Sequence, residues 1–152
     1  MTIIETQGES TRVAPPIALE ELQAANELRG ALRSFIGHGD AAVRRCGLTP
    51  QRYQLLLAVR GAPDGSGSRS VGDLADDLQL AQSSVTELVD RAVAAGLVLR
   101  ETAAHDGRVV RVRLSPVGEA RLAESFAALR AERERLLERL DAVRVHLERS
   151  EA

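Results

Sequence analysis

The run Gln82-Ser83-Ser84-Val85-Thr86-Glu87 places five hydrogen-bonding side chains within six positions. Ser and Thr hydroxyls can bond to phosphate or base edges, Gln can read adenine, and Glu can accept from cytosine N4 while repelling phosphate. The chemistry is therefore that of groove reading, set against a plain alternative in which these are solvated residues at a helix start. Asp106-Gly107-Arg108 is a second candidate. A guanidinium fits a narrow minor groove with enhanced negative potential, whereas Asp106 suits organising the turn. Arg91 is either a partner of Asp106 or a phosphate contact. Arg111 and Arg113 share one side of an alternating run, where phosphate contact competes with solvation or pairing to Glu101.

Other chemistries find little support. The single cysteine, Cys46, excludes an internal disulfide and a cysteine-based zinc site. Its neighbours Arg44 and Arg45 would lower a thiol pKa, but an incidental cysteine is the simpler reading. His38, His105 and His146 are scattered singly, so no metal is expected. The glycine-rich stretch at 65–68 lacks the Lys and following helix of a phosphate loop. No nucleophile elbow or paired-carboxylate motif occurs. The expectation is a non-enzyme without a cofactor. The net charge is -2 and every basic residue is Arg, so attraction to nucleic acid has to be local. No apolar run approaches ~18 residues, and residues 1–16 lack the basic start and apolar stretch of a signal peptide. A cytoplasmic protein with no membrane partner is expected.

The elements that would position these residues are legible in the periodicity. With Phe35, Tyr53 and Phe126 the only aromatics, the core rests on Leu, Val and Ala, which favours packed helices. Residues 1–16 read as a mobile tail. From Ile17, Leu19, Leu22, Ala25, Leu28, Leu32 and Phe35 recur at helical steps; Gly37 and Gly39 weaken the pattern, which ends by Gly47. Thr49-Pro50 is an N-cap followed by a first-turn proline, opening a helix whose stripe is Tyr53, Leu56 and Leu57. Residues 61–69 read as a flexible loop. Ser70 and Asp73 form a capping box before a short helix with Leu74, Ala75 and Leu78 inward. After a turn at 79–82, a helix from about Ser83 to Ala95 turns Val85, Leu88, Val89, Ala92 and Val93 inward, and Gly96 ends it. Two short helices across a tight turn are a helix-turn-helix pattern.

A hairpin follows, with its tip over 104–108 and Asp106-Gly107 supplying the turn. Val110, Val112 and Leu114 form its buried face. Ser115-Pro116 opens a final helix in which Leu122, Phe126, Leu129, Leu136, Leu140, Val143 and Leu147 follow at steps of three, four and seven, interrupted by Arg133. A heptad stripe over some 30 residues is a partner-seeking seam, expected to be exposed in a monomer and to pair with the Leu19–Phe35 stripe of a second copy. The fold class is mainly α, a winged helix-turn-helix domain with a two- to three-stranded β-wing, flanked by N- and C-terminal dimerisation helices. The division is a tail over 1–16 and one domain over 17–152, with dimerisation helices at 17–47 and 115–150 around a winged-helix lobe at 48–114.

From Leu48 to about Ala123 the chain resembles the MarR family of transcriptional regulators. The similar pieces are Leu48-Thr-Pro-Gln51, Val71-Gly-Asp-Leu-Ala75, Ser84-Val-Thr-Glu-Leu-Val-Asp-Arg91, Ala95-Gly-Leu-Val98, Asp106-Gly-Arg108 and Leu114-Ser-Pro-Val-Gly118. It departs from the family in Glu87, in Ala81 where a Ser-type cap is usual, and in the long 61–69 loop. The resemblance implies a homodimer with interlaced terminal helices and two lobes on a palindromic double-stranded operator. It also implies repression relieved by oxidation or by a small effector, apolar or aromatic. Rival readings are a winged helix used as a protein-interaction module and a thiol redox sensor acting through Cys46.

Overall fold

A computed structural model of the chain describes residues 16–103 and 105–150. Six helices and three strands follow one another: α1 (Leu19–Arg45), α2 (Pro50–Arg60), β1 (Ser68–Ser70), α3 (Val71–Leu78), α4 (Gln82–Ala94), β2 (Val98–Ala103), β3 (Asp106–Leu114), α5 (Pro116–Ala128) and α6 (Arg130–Ser150). The tail expected over 1–16 lies outside the described residues except for Pro16.

Local chemistry sets most boundaries. Thr49 Oγ1 accepts from the Arg52 amide at 3.2 Å, and Pro50 fills the first helical position. Ser70 and Asp73 close a reciprocal capping box on α3. Gly96 adopts φ +71°, a left-handed conformation that ends α4. Despite Gly37 and Gly39, α1 runs unbroken, because Gly39 is where Leu129 approaches: a Cβ there would sit 3.2 Å from its side chain.

The core lies in the winged-helix lobe. Leu55, Leu56 and Val59 of α2, Leu74 and Ala75 of α3, Val85, Leu88, Val89 and Ala92 of α4, and Val112 and Leu114 of β3 are buried in one cluster. Each buried Leu or Val among them contributes roughly 1.5–3 kcal/mol of burial. Three inward assignments are corrected. Leu57, Val93 and Val110 are exposed: the first two fall on the outer flanks of narrow apolar stripes, and Val110 lies on the part of the wing that has left the lobe.

The sheet order is β1-β3-β2, both pairs antiparallel. The supposed loop at 61–69 thus runs into a strand, with Ser68 opposite Arg113 and Ser70 opposite Arg111. The wing turn is also shorter than expected. Asp106 already pairs with Ala103 across an irregularity at Thr102/Ala103, and Gly107 is absent from the positive-φ residues. Asp106-Gly107 therefore starts a strand instead of making the turn.

The expected single C-terminal helix is two. It breaks at Leu129, although the Leu129 amide still bonds to Ser125 O at 3.1 Å and the Arg133 amide to Leu129 O at 3.0 Å. Helix α6 packs antiparallel to α1, since Gly39 meets Leu129 near one end and Gly30 meets Arg139 further along. This packing corrects the exposed-seam expectation: Leu122, Leu129 and Val143 are buried within the single chain, and Leu136 and Leu140 are half-buried. The large apolar side chains left open lie mainly on α1 (Leu19, Leu22, Leu28, Leu32, Ile36) and at Phe126, Leu137, Val145 and Leu147.

Candidate nucleic-acid interface

Helix α4 is seated by Val85, Leu88, Val89 and Ala92, and its other side is left to solvent. Gln82, Ser83, Ser84, Thr86 and Glu87 are all exposed there, as is Arg91 a turn later. The helix begins at Ala81 without a side-chain cap, so its first amides are unsatisfied and carry the positive end of the helix dipole. Thr86 Oγ1 donates to Gln82 O at 2.9 Å; its lone pairs can still accept, but its proton is engaged. Asp90, on the same helix, pairs with Arg100 of β2, tying α4 to the base of the wing. Arg91 has no ion pair or hydrogen bond among the described side chains.

The wing carries Arg108, which is exposed near its tip. Arg111 and Arg113 lie nearer the lobe and are committed within the protein. The Arg111 guanidinium donates to Ser68 Oγ at 2.9 Å and to Ser68 O at 2.6 Å, and Arg113 pairs with Glu101 across the hairpin at 3.3 Å. Asp64 sits 3.9 Å from Arg111; bonds from Ser66, followed by the Arg111 charge, hold its carboxyl below the usual Asp value. The backbone of Asp106 is at the start of β3. The structure thus sets Gln82, Ser83, Ser84, Thr86, Glu87 and Arg91 together on one exposed helix side and Arg108 out on the wing, while Arg111 and Arg113 brace the sheet.

A second feature lies between α1, α2 and the α5–α6 junction: a cavity of about 240 Å³, with Phe35, Val43, Tyr53, Phe126, Leu129 and Arg133 among its lining residues. The Arg133 guanidinium stacks 3.7 Å from the Phe126 ring centroid, yet its buried Nη1 has no hydrogen-bond partner among the described residues. Burial raises the Tyr53 pKa, with the Arg133 charge and a hydrogen bond from Arg133 pulling the other way. Sequence reasoning expected a ligand between the dimerisation helices and the DNA-binding lobes but named no residues for it. Its one signal was Arg133 as the interruption of the apolar stripe.

Residues 47–109 match the model of the MarR family. These residues form a winged helix similar to that family's. Solved structures extend the likeness in fold over most of the chain. BldR from Sulfolobus solfataricus is 28% identical, with 86% of this chain and 96% of that one covered and a TM-score of 0.61. A MarR variant from E. coli complexed with operator DNA is 16% identical, with 90% and 99% covered and a TM-score of 0.65. BpsR from Bordetella bronchiseptica, whose DNA binding is regulated by 6-hydroxynicotinic acid, is 23% identical, with 91% and 99% covered and a TM-score of 0.63. No curated protein matches the chain by sequence. By this likeness α3 and α4 correspond to a helix-turn-helix and β2–β3 to a wing. No described helix is long and apolar enough to cross a membrane.

Cys46 is buried at the end of α1, and its carbonyl accepts from Arg121 Nη1 at 3.3 Å. A thiol shielded in this way is poorly placed to meet a solvent oxidant.

Proposed function

We propose that the protein is a homodimeric, sequence-specific DNA-binding transcriptional regulator of the cytoplasm, a repressor released by a small effector. The observation that carries this reading is the exposed, uncapped start of α4. Its free amides and short polar side chains suit a phosphate and the adjacent base edges, with Arg108 on the wing reaching a neighbouring minor groove. Glu87 would discriminate bases at one position of each half-site. Arg91 would contact phosphate, and Asp106 would order the wing. Two copies would join through the apolar surface of α1 and α6, and the bound dimer would block polymerase sterically.

The effector reading rests on the Arg133 cavity. Its aromatic walls suit a small flat molecule, and the unsatisfied guanidinium nitrogen suits an acidic group on it. The effect of 6-hydroxynicotinic acid on BpsR is consistent with such a ligand.

Titration of duplex DNA against salt tests the function. Phosphate contacts require log affinity to fall steeply and linearly with log salt. Absence of DNA binding at low salt would overturn the reading and favour a protein-interaction module.

A further inference from the structure

Leu57 and Phe126 line the Arg133 cavity, and both also line a second space, an apolar groove of about 300 Å³ between α2 and α5. On α2, Pro50, Tyr53, Leu57 and Gly61 meet one space or both. Their steps of three and four put them on one side of the helix. On α5, Glu119, Leu122 and Phe126 recur at the same steps. The two helices run antiparallel here: Arg60, near the end of α2, pairs with Glu119, near the start of α5, at 3.2 Å, while Leu57 shares the groove with Phe126. The stretch of α2 from Tyr53 to Gly61 is about 12 Å long.

The ends of this path differ in chemistry. At the inner end the Arg133 guanidinium stacks on Phe126 and its buried Nη1 has no hydrogen-bond partner among the described residues. At the outer end Arg60 and Glu119 satisfy each other, so nothing there asks for a charge. Between the ends the walls are Leu57, Leu122 and Ala123. Leu57 and Phe126 are exposed in the single chain, although each stands between two spaces. An apolar body passing from one space to the other would cover both.

We propose, resting on the reading of the Arg133 cavity as the effector site, that the site continues past Leu57 and Phe126 and takes an aromatic acid bearing an apolar arm. The carboxylate would meet Arg133 Nη1, the ring would fill the inner cavity, and the arm would lie along α2 against Leu122 and Ala123. A single small ring occupies the inner space alone and leaves the groove wet. Each methylene laid into the groove removes apolar surface from water, worth about two- to fourfold in affinity on a partly open wall.

Calorimetry on the full chain without DNA tests it with benzoate, 4-butylbenzoate, 4-hexylbenzoate and the uncharged 4-hexylbenzamide as probes. Affinity should rise with arm length, about fiftyfold or more from benzoate to 4-hexylbenzoate. The benzamide should bind about tenfold or more weaker than 4-hexylbenzoate, as expected for a lost charge-assisted bond. Ala123 is exposed and lines the outer groove but not the Arg133 cavity. Ala123→Phe should therefore fill the groove and remove most of the gain from the arm while benzoate binds as before, with circular dichroism showing the variant folded. An arm that adds nothing, or a gain that survives Ala123→Phe, would overturn the extension and leave the acid reading of the cavity standing. Equal binding of the benzamide and the benzoate, or no binding by any probe at millimolar concentration, would overturn that reading and the extension with it.

Discussion

Arg108 is exposed on the wing, near Val110, which has already left the core. Arg108→Ala should shift stability by no more than about 0.5 kcal/mol while weakening DNA binding and reducing the log–log salt slope by about one unit; an unchanged slope would remove the wing from the interface. Asp73 gives a pH prediction. Bonds to the Ser70 hydroxyl and amide hold its carboxyl below the ordinary Asp value, so the folded state favours the carboxylate. That stabilisation is present above the unfolded pKa and is lost as pH falls through the folded one. Asp73→Asn should therefore flatten the acid limb of a stability–pH profile and leave its alkaline limb alone, as urea unfolding across pH would show. Ser70, Asp73 and Thr49 were legible in the sequence because a cap is a contact over three residues. Arg133 was legible only as an oddity, because its cavity is assembled from helices far apart in the chain.

At the scale of elements, the start of α5 is fastened to the end of α4. Ser115 donates its amide to Leu97 O at 3.0 Å and its hydroxyl to Gly96 O, and its Oγ accepts from the Gly118 amide at 3.0 Å. A Cβ on Gly118 would lie 1.9 Å from Leu97 O, so no small adjustment accommodates it. Gly118→Ala should cost about 1–3 kcal/mol, measured by urea unfolding; a neutral result would mean that α5 is free to shift. Helix α4 offers the opposite case. Ala81→Ser would supply the missing cap and should stabilise the fold by about 0.5–2 kcal/mol, yet it should not strengthen DNA binding, since the hydroxyl would occupy amides that a phosphate needs. Tighter binding by this variant would argue against that phosphate contact. Helix starts and the helix-turn-helix were readable from caps and period. Strand β1 was not, because Ser68-Arg69-Ser70 has no strand pattern and becomes a strand only by pairing with β3, over 40 residues away. The α5–α6 break was equally hidden, as neither Gly nor Pro marks Leu129.

For the whole molecule, the heptad stripe was visible but its occupant was misjudged. A stripe reports that a face must be buried, not which chain buries it, and α1 of the same chain covers much of it. The proposed dimer would instead use the outer side of α1 with Leu137, where large apolar side chains stay exposed, and large apolar exposures are rare on monomers. Leu137 is 62% exposed, so Leu137→Asp should leave the single-chain fold intact and shift sedimentation from dimer toward monomer. Loss of fold together with assembly would show that the chain has no stable monomer. The central claim, a two-fold reader of DNA, is tested most directly by selecting bound sequences from a pool of random duplexes. The account predicts an enriched inverted repeat with half-sites one helical turn apart, ~34–36 Å. Enrichment of a single unrepeated site, or of none, would contradict it.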